Sequence, residues 1–341
     1  MPKIKLYSQN LALNLDILAK KAGDKERIIA VLKDNAYGHG LSVFAPKVAS
    51  LGITHAITRE AKEALEIEGF FRDIIVLSEH KEAFFKHPKI IFAVNEFEAL
   101  KSAPSGVHIA LKIDTGMHRN GISADELDSA CKLIADKKLL LHSIFTHFRS
   151  ADEISGEFFW QRKNFNEIKA KYADVSKRYS LPKVYFHSCN SAALLRCNKF
   201  DEDFARVGIA MYGYCDLPEA FGSFGLKPVL ELFAKRISAK ELQKGQRVGY
   251  GGVFTSDKNM LSSLYDIGYA DGILRYDGKK ELRTTTKSLI LGRVSMDSMS
   301  VNSDEEEISV FNDATVWAKY FNTISYDILV KLNAKISREF A

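Results

Sequence analysis

A lysine at the end of an apolar run is the first residue of this chain that can do chemistry. Lys33 closes the run Ile28–Lys33. A charged amine at the end of a buried strand costs desolvation free energy unless the charge is paired or removed. Formation of a Schiff base removes the free amine, which is a common route to covalent catalysis. For this lysine alone, an amine that extends into water from the mouth of the fold is an equally simple interpretation.

Two later segments can bind an anion. Ser191 follows the seventh apolar run, and Gly208-Ile209 lie in the eighth. In barrels, a hydroxyl and backbone N–H groups at these positions commonly bind phosphate. Helix capping by Asn190 or Ser191, and a glycine needed for packing, are the structural alternatives. Taken together, a Schiff-base lysine opposite a phosphate site is the arrangement that pyridoxal phosphate requires.

A histidine and an arginine are the next candidates for a functional role. His147 ends the sixth run, and such a lone histidine is more often a satisfied core residue than a catalytic one. Arg206 lies in the eighth run, and because a guanidinium keeps its charge it needs an acceptor nearby. A structural salt bridge and a ligand contact explain Arg206 equally well on these grounds.

The elements that must position these residues form a repeating pattern. Short β-branched runs alternate with amphipathic stretches such as Ala124–Asp136 and Glu157–Tyr179. About eight such units predict an α/β fold, a (β/α)8 TIM-type barrel, with the polar residues above at the carboxyl ends of its strands. The predicted strands are Ile28–Lys33, Thr54–Thr58, Ile74–Ser78, Lys89–Asn95, Val107–Asp114, Leu139–Phe148, Lys183–Cys189 and Phe204–Met211.

The pattern changes after about Cys215. Strand-like runs then predominate, with little helical pattern before the C-terminus. They are Val229–Leu242, Arg247–Phe254, Leu261–Ile267, Leu289–Met299 and Thr315–Ala318. We therefore predict a barrel over residues 1–218, whose first few residues can pack with the second domain, and a mostly β C-terminal domain over 219–341.

Composition excludes several classes of function. The 48 Lys and Arg residues exceed the 43 Asp and Glu residues by a net charge of only +5, without a basic cluster, which argues against a nucleic-acid or membrane-surface partner. The four cysteines have no metal-binding spacing. The polar N-terminus and the lack of a long apolar run predict a cytoplasmic protein.

In their order along the chain, these motifs resemble those of the alanine racemases, which are fold-type III pyridoxal-phosphate enzymes. The matching segments cover nearly the whole chain: Val31–Gly40, Leu111–Gly121, Thr146–Phe148, His187–Ala192, Arg206–Gly213, Val248–Gly251, Ile267–Gly272, Gly292–Asp297 and Thr323–Tyr326. One departure stands out, because alanine or serine is more usual in the family where this chain has Asp34.

The resemblance implies a role for each matching residue. It makes Lys33 the residue that carries pyridoxal 5'-phosphate and Lys112 a candidate for carbamylation. The implied cofactor contacts are Lys33, Tyr37, Arg119, His147, Asn190, Ser191, Arg206, Gly208, Ile209 and Tyr326. The implied substrate contacts are Arg119, Met296 and Tyr269, and the residues that support catalysis are His147, Arg206 and Asp297.

The resemblance also implies the reaction. L-alanine and D-alanine would be interconverted by two bases, Lys33 on the D face and Tyr250 of the partner subunit on the L face. This makes the protein a homodimer with shared active sites, and D-alanine for peptidoglycan is the expected product. Packing in a β-strand is the ordinary explanation of such tyrosines. The glycines around Tyr250 suit close approach of a ligand or backbone, but only the resemblance implies the catalytic role.

Three other functions share parts of this pattern. A racemase for serine or a basic amino acid would have the same fold. A barrel decarboxylase of basic amino acids should carry an acidic partner for the cofactor ring nitrogen, where this chain has Arg206. A non-catalytic pyridoxal-phosphate-binding barrel would lack the second domain.

Overall fold

The computed structural model describes residues 1–341, which divide into two compact units. We call Leu11–Ala36 and Phe44–Lys227 the barrel unit, and Met1–Asn10, Tyr37–Val43 and Pro228–Ala341 the sheet unit. Both units contain strands that are far apart in the sequence.

The chain has sixteen strands in sequence order. They are β1 (Lys3–Leu6), β2 (Ile28–Val31), β3 (His55–Thr58), β4 (Asp73–Val76), β5 (Ile90–Val94), β6 (His108–Lys112), β7 (Leu140–Phe145), β8 (Tyr185–His187), β9 (Ala205–Val207), β10 (Leu230–Leu242), β11 (Arg247–Val248), β12 (Phe254–Thr255), β13 (Met260–Tyr265), β14 (Met299–Val301), β15 (Glu307–Phe311) and β16 (Ser337–Phe340).

Nine right-handed α-helices accompany the strands. They are α1 (Ser8–Ala22), α2 (Leu41–Ser50), α3 (Ala61–Ile67), α4 (Phe97–Ser102), α5 (Leu127–Asp136), α6 (Glu157–Arg178), α7 (Ser191–Arg196), α8 (Ala314–Tyr320) and α9 (Ser325–Val330). The segment Lys33–Tyr37 also turns helically, but with left-handed backbone angles.

The barrel unit confirms the predicted fold class. Its eight parallel strands pair in the order β8-β7-β6-β5-β4-β3-β2-β9. Every residue of β2, β3 and β5 is buried, because helices cover one face and the barrel interior the other. Between β8 and β9, the Arg206 N–H donates to the Cys189 carbonyl at 2.9 Å, which helps to close the barrel.

The sheet unit confirms the mostly β architecture predicted for the C-terminal part of the chain. Its main sheet has the order β14-β13-β10-β1-β16, and β15 also pairs with β10. The first strand of the chain, β1, runs antiparallel to β10 and parallel to β16. Strands β11 and β12 form a separate short hairpin.

Three strands predicted in this part of the chain are wrong in whole or part. The run Thr315–Ala318 lies in helix α8, which buries Ala314, Trp317 and Ala318 at helical spacing. A window of four residues is too short to separate a period of 3.6 from a period of 2. Of Leu289–Met299, only isolated bridges and the first residue of β14 pair, and a turn at Tyr250–Gly252 interrupts Arg247–Phe254.

Candidate active site

A left-handed turn carries Lys33. It follows β2 directly, and Asp34, Asn35, Ala36 and Tyr37 have φ between 49° and 56°. Left-handed residues other than glycine cost roughly 1–2 kcal/mol each, so tertiary contacts must hold this turn. The turn places Lys33 at the carboxyl end of a barrel strand, as predicted, with about a third of its side chain exposed.

Arg206 is fixed at the centre of a buried hydrogen-bond network. Its Nη1 donates to the His187 carbonyl at 2.7 Å and to His187 Nδ1 at 2.9 Å. Its Nη2 donates to the carbonyls of Thr146 (2.7 Å) and Ser188 (3.0 Å), and lies 3.4 Å from His147 Nδ1. Burial lowers the pKa of Arg206 to about 10, so the guanidinium remains a cation at neutral pH.

The two histidines beside this arginine are neutral. Burial and the nearby cations of Arg206, Lys112 and Arg119 lower the pKa of His147 to about 3. Burial also lowers the pKa of His187 well below its ordinary value, and its Nε2 lies 3.0 Å from the Ser143 hydroxyl. Because arginine can only donate, His147 Nδ1 is an acceptor and its proton sits on Nε2.

Lys112 and Arg119 bring two further cations to the same region. Lys112 ends β6, is buried, and donates to the Asn120 side chain. Burial, Arg119 and Arg206 lower the pKa of Lys112 to about 8. The exposed Arg119 lies on the loop after β6, whose start is ordered by Asp114 Oδ1, an acceptor for three successive backbone N–H groups.

Ser191 joins the ends of β8 and β9. Its hydroxyl accepts from the backbone N–H groups of Gly208 at 3.0 Å and Ala210 at 3.4 Å. Asn190 caps helix α7 by accepting from the Ala193 N–H at 2.9 Å, so the capping interpretation is confirmed for Asn190. Because the Ser191 oxygen accepts from two backbone N–H groups, its own hydroxyl proton can be donated to an anionic oxygen beside Gly208 and Ile209.

In the sheet unit, Tyr37 and Tyr326 lie side by side. Their rings pack edge to face with centroids 5.6 Å apart. Gly38 makes this possible, because a Cβ at that position would lie 2.0 Å from the Leu329 carbonyl oxygen. The two tyrosines that were predicted to contact one phosphate group are therefore neighbours.

The sheet unit also brings Tyr250, Tyr269, Met296 and Asp297 onto adjoining loops. The Tyr269 N–H donates to the Ser295 carbonyl at 3.1 Å, and the next N–H donates to the Met296 carbonyl at 2.9 Å. Tyr250 and Met296 are 66% and 54% exposed, although both are large apolar residues. Exposure of such residues in one chain is typical of a surface that another molecule covers.

The predicted residues thus fall into two groups. The barrel unit holds Lys33, Lys112, Arg119, His147, Asn190, Ser191, Arg206, Gly208 and Ile209, and the sheet unit holds Tyr37, Tyr250, Tyr269, Met296, Asp297 and Tyr326. Sequence reasoning gave no role to His187 or Ser188, which hold Arg206, or to Asn120, which holds Lys112. The sequence could have suggested Asn120, because this residue lies on the loop that directly follows β6, the strand that ends at Lys112.

The fold and this site define a class of protein: a (β/α)8 barrel enzyme with a lysine, a buried arginine and a buried serine hydroxyl at the carboxyl ends of its strands, together with a mostly β unit. No helix of the chain combines the length and apolar character needed to cross a membrane. No group of three or more His, Cys, Asp or Glu side chains in residues 1–341 is placed to hold a metal ion.

Comparison with known proteins gives the particular family. Residues 6–216 match the alanine racemase N-terminal domain, and residues 229–340 match the alanine racemase C-terminal domain. The alanine racemase of a Nitratiruptor species is 46% identical over 338 residues, covering 99% of both chains. The alanine racemase of Campylobacter concisus is 44% identical over 340 residues, covering 100% of both chains.

Solved structures agree. The alanine racemase from Bacillus anthracis with bound L-Ala-P superposes with a TM-score of 0.88 at 27% identity, covering 100% of this chain and 95% of that one. The alanine racemase from E. faecalis superposes with a TM-score of 0.86 at 28% identity, covering 100% and 98%. The chain belongs to the alanine racemase family and is an isomerase.

Proposed function

We propose that the protein interconverts L-alanine and D-alanine with pyridoxal 5'-phosphate as its cofactor. It acts as a homodimer in which each barrel site is completed by the partner subunit. The barrel unit binds the cofactor, the boundary with the second domain lies near residue 218, and the first ten residues belong with that second domain. The exposed Tyr250 and Met296 support the dimer, because a partner subunit would cover them. The bacterial relatives support a supply of D-alanine for peptidoglycan as the biological role.

The donor set of the barrel unit fits this cofactor. The Ser191 hydroxyl, with the backbone of Gly208 and Ile209 beside it, suits a phosphate oxygen. The resemblance to the alanine racemases adds Tyr37 and Tyr326 as phosphate contacts. Lys33 supplies the amine. The protein acceptors of Arg206 engage its two terminal nitrogens, so its Nε–H can face a ring nitrogen.

The observation that carries the proposal is this buried arginine. A guanidinium whose pKa is about 10 does not hand its proton to a pyridine nitrogen at neutral pH. An arginine facing the ring nitrogen of a bound cofactor would leave that nitrogen unprotonated, which would make the ring a weaker electron acceptor and would disfavour transamination. A decarboxylase would need an acidic group at this position, so the arginine favours racemisation.

Two bases on opposite faces exchange the proton of the substrate. When bound, the cofactor supplies a carbonyl carbon that bonds the substrate amine and a ring that draws electron density from Cα. Lys33 Nζ takes or returns the Cα proton on the D face, and Tyr250 of the partner subunit does so at Oη on the L face. Because His147 carries its proton on Nε2 and accepts from Arg206, it can donate to the phenolate that forms when that tyrosine gives up its proton.

The other site residues bind and orient the substrate. Arg119 and the backbone of Met296 bind its carboxylate. Tyr269 narrows the entrance, and Asp297 supports the loop of Met296. Carbamylation of Lys112 would turn a cation into an anion between Arg119 and Arg206, which orients Arg119. The lowered pKa of Lys112 supports this modification, because only the neutral amine reacts with CO2.

Proton NMR in D2O tests the proposal. Purified protein with pyridoxal phosphate and L-alanine should lose the Cα proton signal, and chiral analysis should find equal final amounts of both isomers. Lys33→Ala should abolish this exchange, and borohydride reduction should fix a pyridoxyl group on Lys33 of the wild type. Exchange with serine or a basic amino acid but not with alanine would show a different racemase. Cofactor binding without any exchange would indicate a binding protein, and an adduct on another lysine would refute the role of Lys33.

A further inference from the structure

Lys33 has an ion-pair partner at position 34, where alanine or serine is more usual in the family. Its Nζ lies 3.2 Å from Oδ2 of Asp34, and the two side chains are 34% and 30% exposed. An amine held in this pair is not available for a bond to a carbonyl carbon. The pair therefore bears directly on how Lys33 engages its cofactor.

The same carboxylate has a second cation. Arg59 Nη1 lies 3.4 Å from the other oxygen of Asp34, Oδ1. Arg59 Nε in turn lies 3.4 Å from Glu60, so the guanidinium serves two carboxylates. Asp34 is thus shared between Lys33 and Arg59, and it keeps a partner when Lys33 leaves.

Glu63 holds this arrangement in place. Its Oε1 accepts from the Asn35 N–H at 3.0 Å, and its Oε2 accepts from the Arg59 N–H at 2.9 Å. One carboxylate on α3 thereby ties the left-handed turn after β2 to the loop after β3. The backbones that carry Asp34 and Arg59 are fixed relative to each other, which makes their ion pair reproducible.

His147 links Lys33 electrostatically to the other cations of the barrel site. On the barrel side the electrostatic field of Lys33 reaches His147, which is neutral, and the same histidine feels Lys112, Arg119 and Arg206. Within this set, Asp34 is the acidic group in contact with Lys33. Removal of the Asp34 charge therefore removes the ion pair that holds the Lys33 amine.

We propose that Asp34 is a positioning residue that competes with the cofactor for the Lys33 amine, and that Arg59 moderates this competition by taking over the Asp34 carboxylate. The inference rests on the proposed binding of pyridoxal phosphate at Lys33. In the cofactor-free chain Asp34 holds Lys33 at the barrel mouth. In the cofactor-loaded chain Asp34 pairs with Arg59 alone, so the exchange leaves no unpaired carboxylate.

The test is the equilibrium affinity of the full chain for pyridoxal phosphate, followed by protein fluorescence at low ionic strength. Asp34→Asn should bind about two- to fivefold more tightly than the wild type, which is the range expected for loss of one partly exposed ion pair. Asp34→Glu keeps a carboxylate and should bind like the wild type. In 0.5 M KCl the wild type and Asp34→Asn should converge, since salt screens such pairs.

Arg59 gives a prediction of the opposite sign. Arg59→Met should weaken binding by about two- to fivefold, because Asp34 then pairs with Lys33 alone. In the Asp34→Asn background, the same change should have no effect. Asp136→Asn is the matched control, since it removes an exposed carboxylate that pairs with Lys132 and not with Lys33 or Arg59, and it should leave the affinity within about 1.5-fold.

Several outcomes would overturn the inference. Weaker or unchanged binding by Asp34→Asn would do so, because a merely structural role predicts loss and not gain of affinity. An Arg59→Met effect that persists without the Asp34 carboxylate would show that Arg59 acts on the cofactor directly. If borohydride reduction of the wild type leaves no pyridoxyl group on Lys33, then the proposed function itself is refuted, and not only this inference.

Discussion

Replacement of Lys112 by methionine should stabilise the cofactor-free protein at neutral pH in CO2-free buffer. The buried ammonium is disfavoured by burial and by the cations of Arg119 and Arg206, which lower its pKa from 10.5 to about 8. One pKa unit corresponds to about 1.4 kcal/mol, so keeping Lys112 charged in the folded state costs about 3 kcal/mol. Methionine preserves most of the packing volume without the charge.

The pH dependence has a defined sign. The pKa of Lys112 is lower in the folded state than in the unfolded state, so the unfolded chain binds more protons between pH 8 and 10.5. The destabilisation of the wild type by charged Lys112 is therefore complete below pH 8. It disappears as the pH rises from 8 to 10.5. The difference in unfolding free energy between Lys112→Met and the wild type should be about 2–3 kcal/mol at pH 7 and near zero above pH 10.5.

Urea unfolding of both proteins at pH 7, 9 and 10.5 measures this difference. Lys132→Met is the control, because Lys132 is exposed on α5 and its removal should leave stability unchanged within error. Added bicarbonate should stabilise the wild type and not Lys112→Met, since a carbamate places an anion beside two arginines. A destabilised Lys112→Met at pH 7, or a difference independent of pH, would refute the reasoning.

Three further predictions follow from single contacts. Tyr250→Phe should slow Cα deuterium exchange of L-alanine by at least tenfold more than that of D-alanine in single-turnover runs, and equal losses would contradict the two-base assignment. Ser191→Ala removes the acceptor of two buried N–H groups, so it should lower the free energy of urea unfolding by about 1–3 kcal/mol. The same variant should bind pyridoxal phosphate more weakly, and an unchanged affinity would argue against the anion site. Gly268→Ala would place a Cβ 2.0 Å from the Met296 carbonyl oxygen, so it should raise KM for alanine more than it lowers kcat, and wild-type kinetics would show that the Met296 loop does not bind substrate.

The sequence by itself determined the barrel and much of its site. Near-continuous apolar runs of five to ten residues, alternating with amphipathic stretches, indicate a sheet covered on both faces, and polar residues at the ends of the runs are then expected at one rim. The pattern alone therefore made Lys33, His147, Ser191 and Arg206 candidates, whereas Lys112 was singled out only by the resemblance to the alanine racemases.

Short elements outside the barrel were decided by tertiary contacts. Thr315–Ala318 reads as a strand by residue type, but burial of Trp317 and a cap from Asp313 make it helical. In the same way, β1 and β16 pair although they lie at opposite ends of the chain, which no local pattern records.

The hydrogen-bond partners and the pKa values of the site residues also depend on the folded state. Residue types showed that Arg206 needs acceptors, but the carbonyls that hold it come from Thr146, His187 and Ser188 on other elements. The lowered pKa values of Lys112 and His147 arise from burial and from cations that folding brings near. Sequence determines which groups are present, whereas desolvation and distance, which set their energies, exist only once the chain is folded.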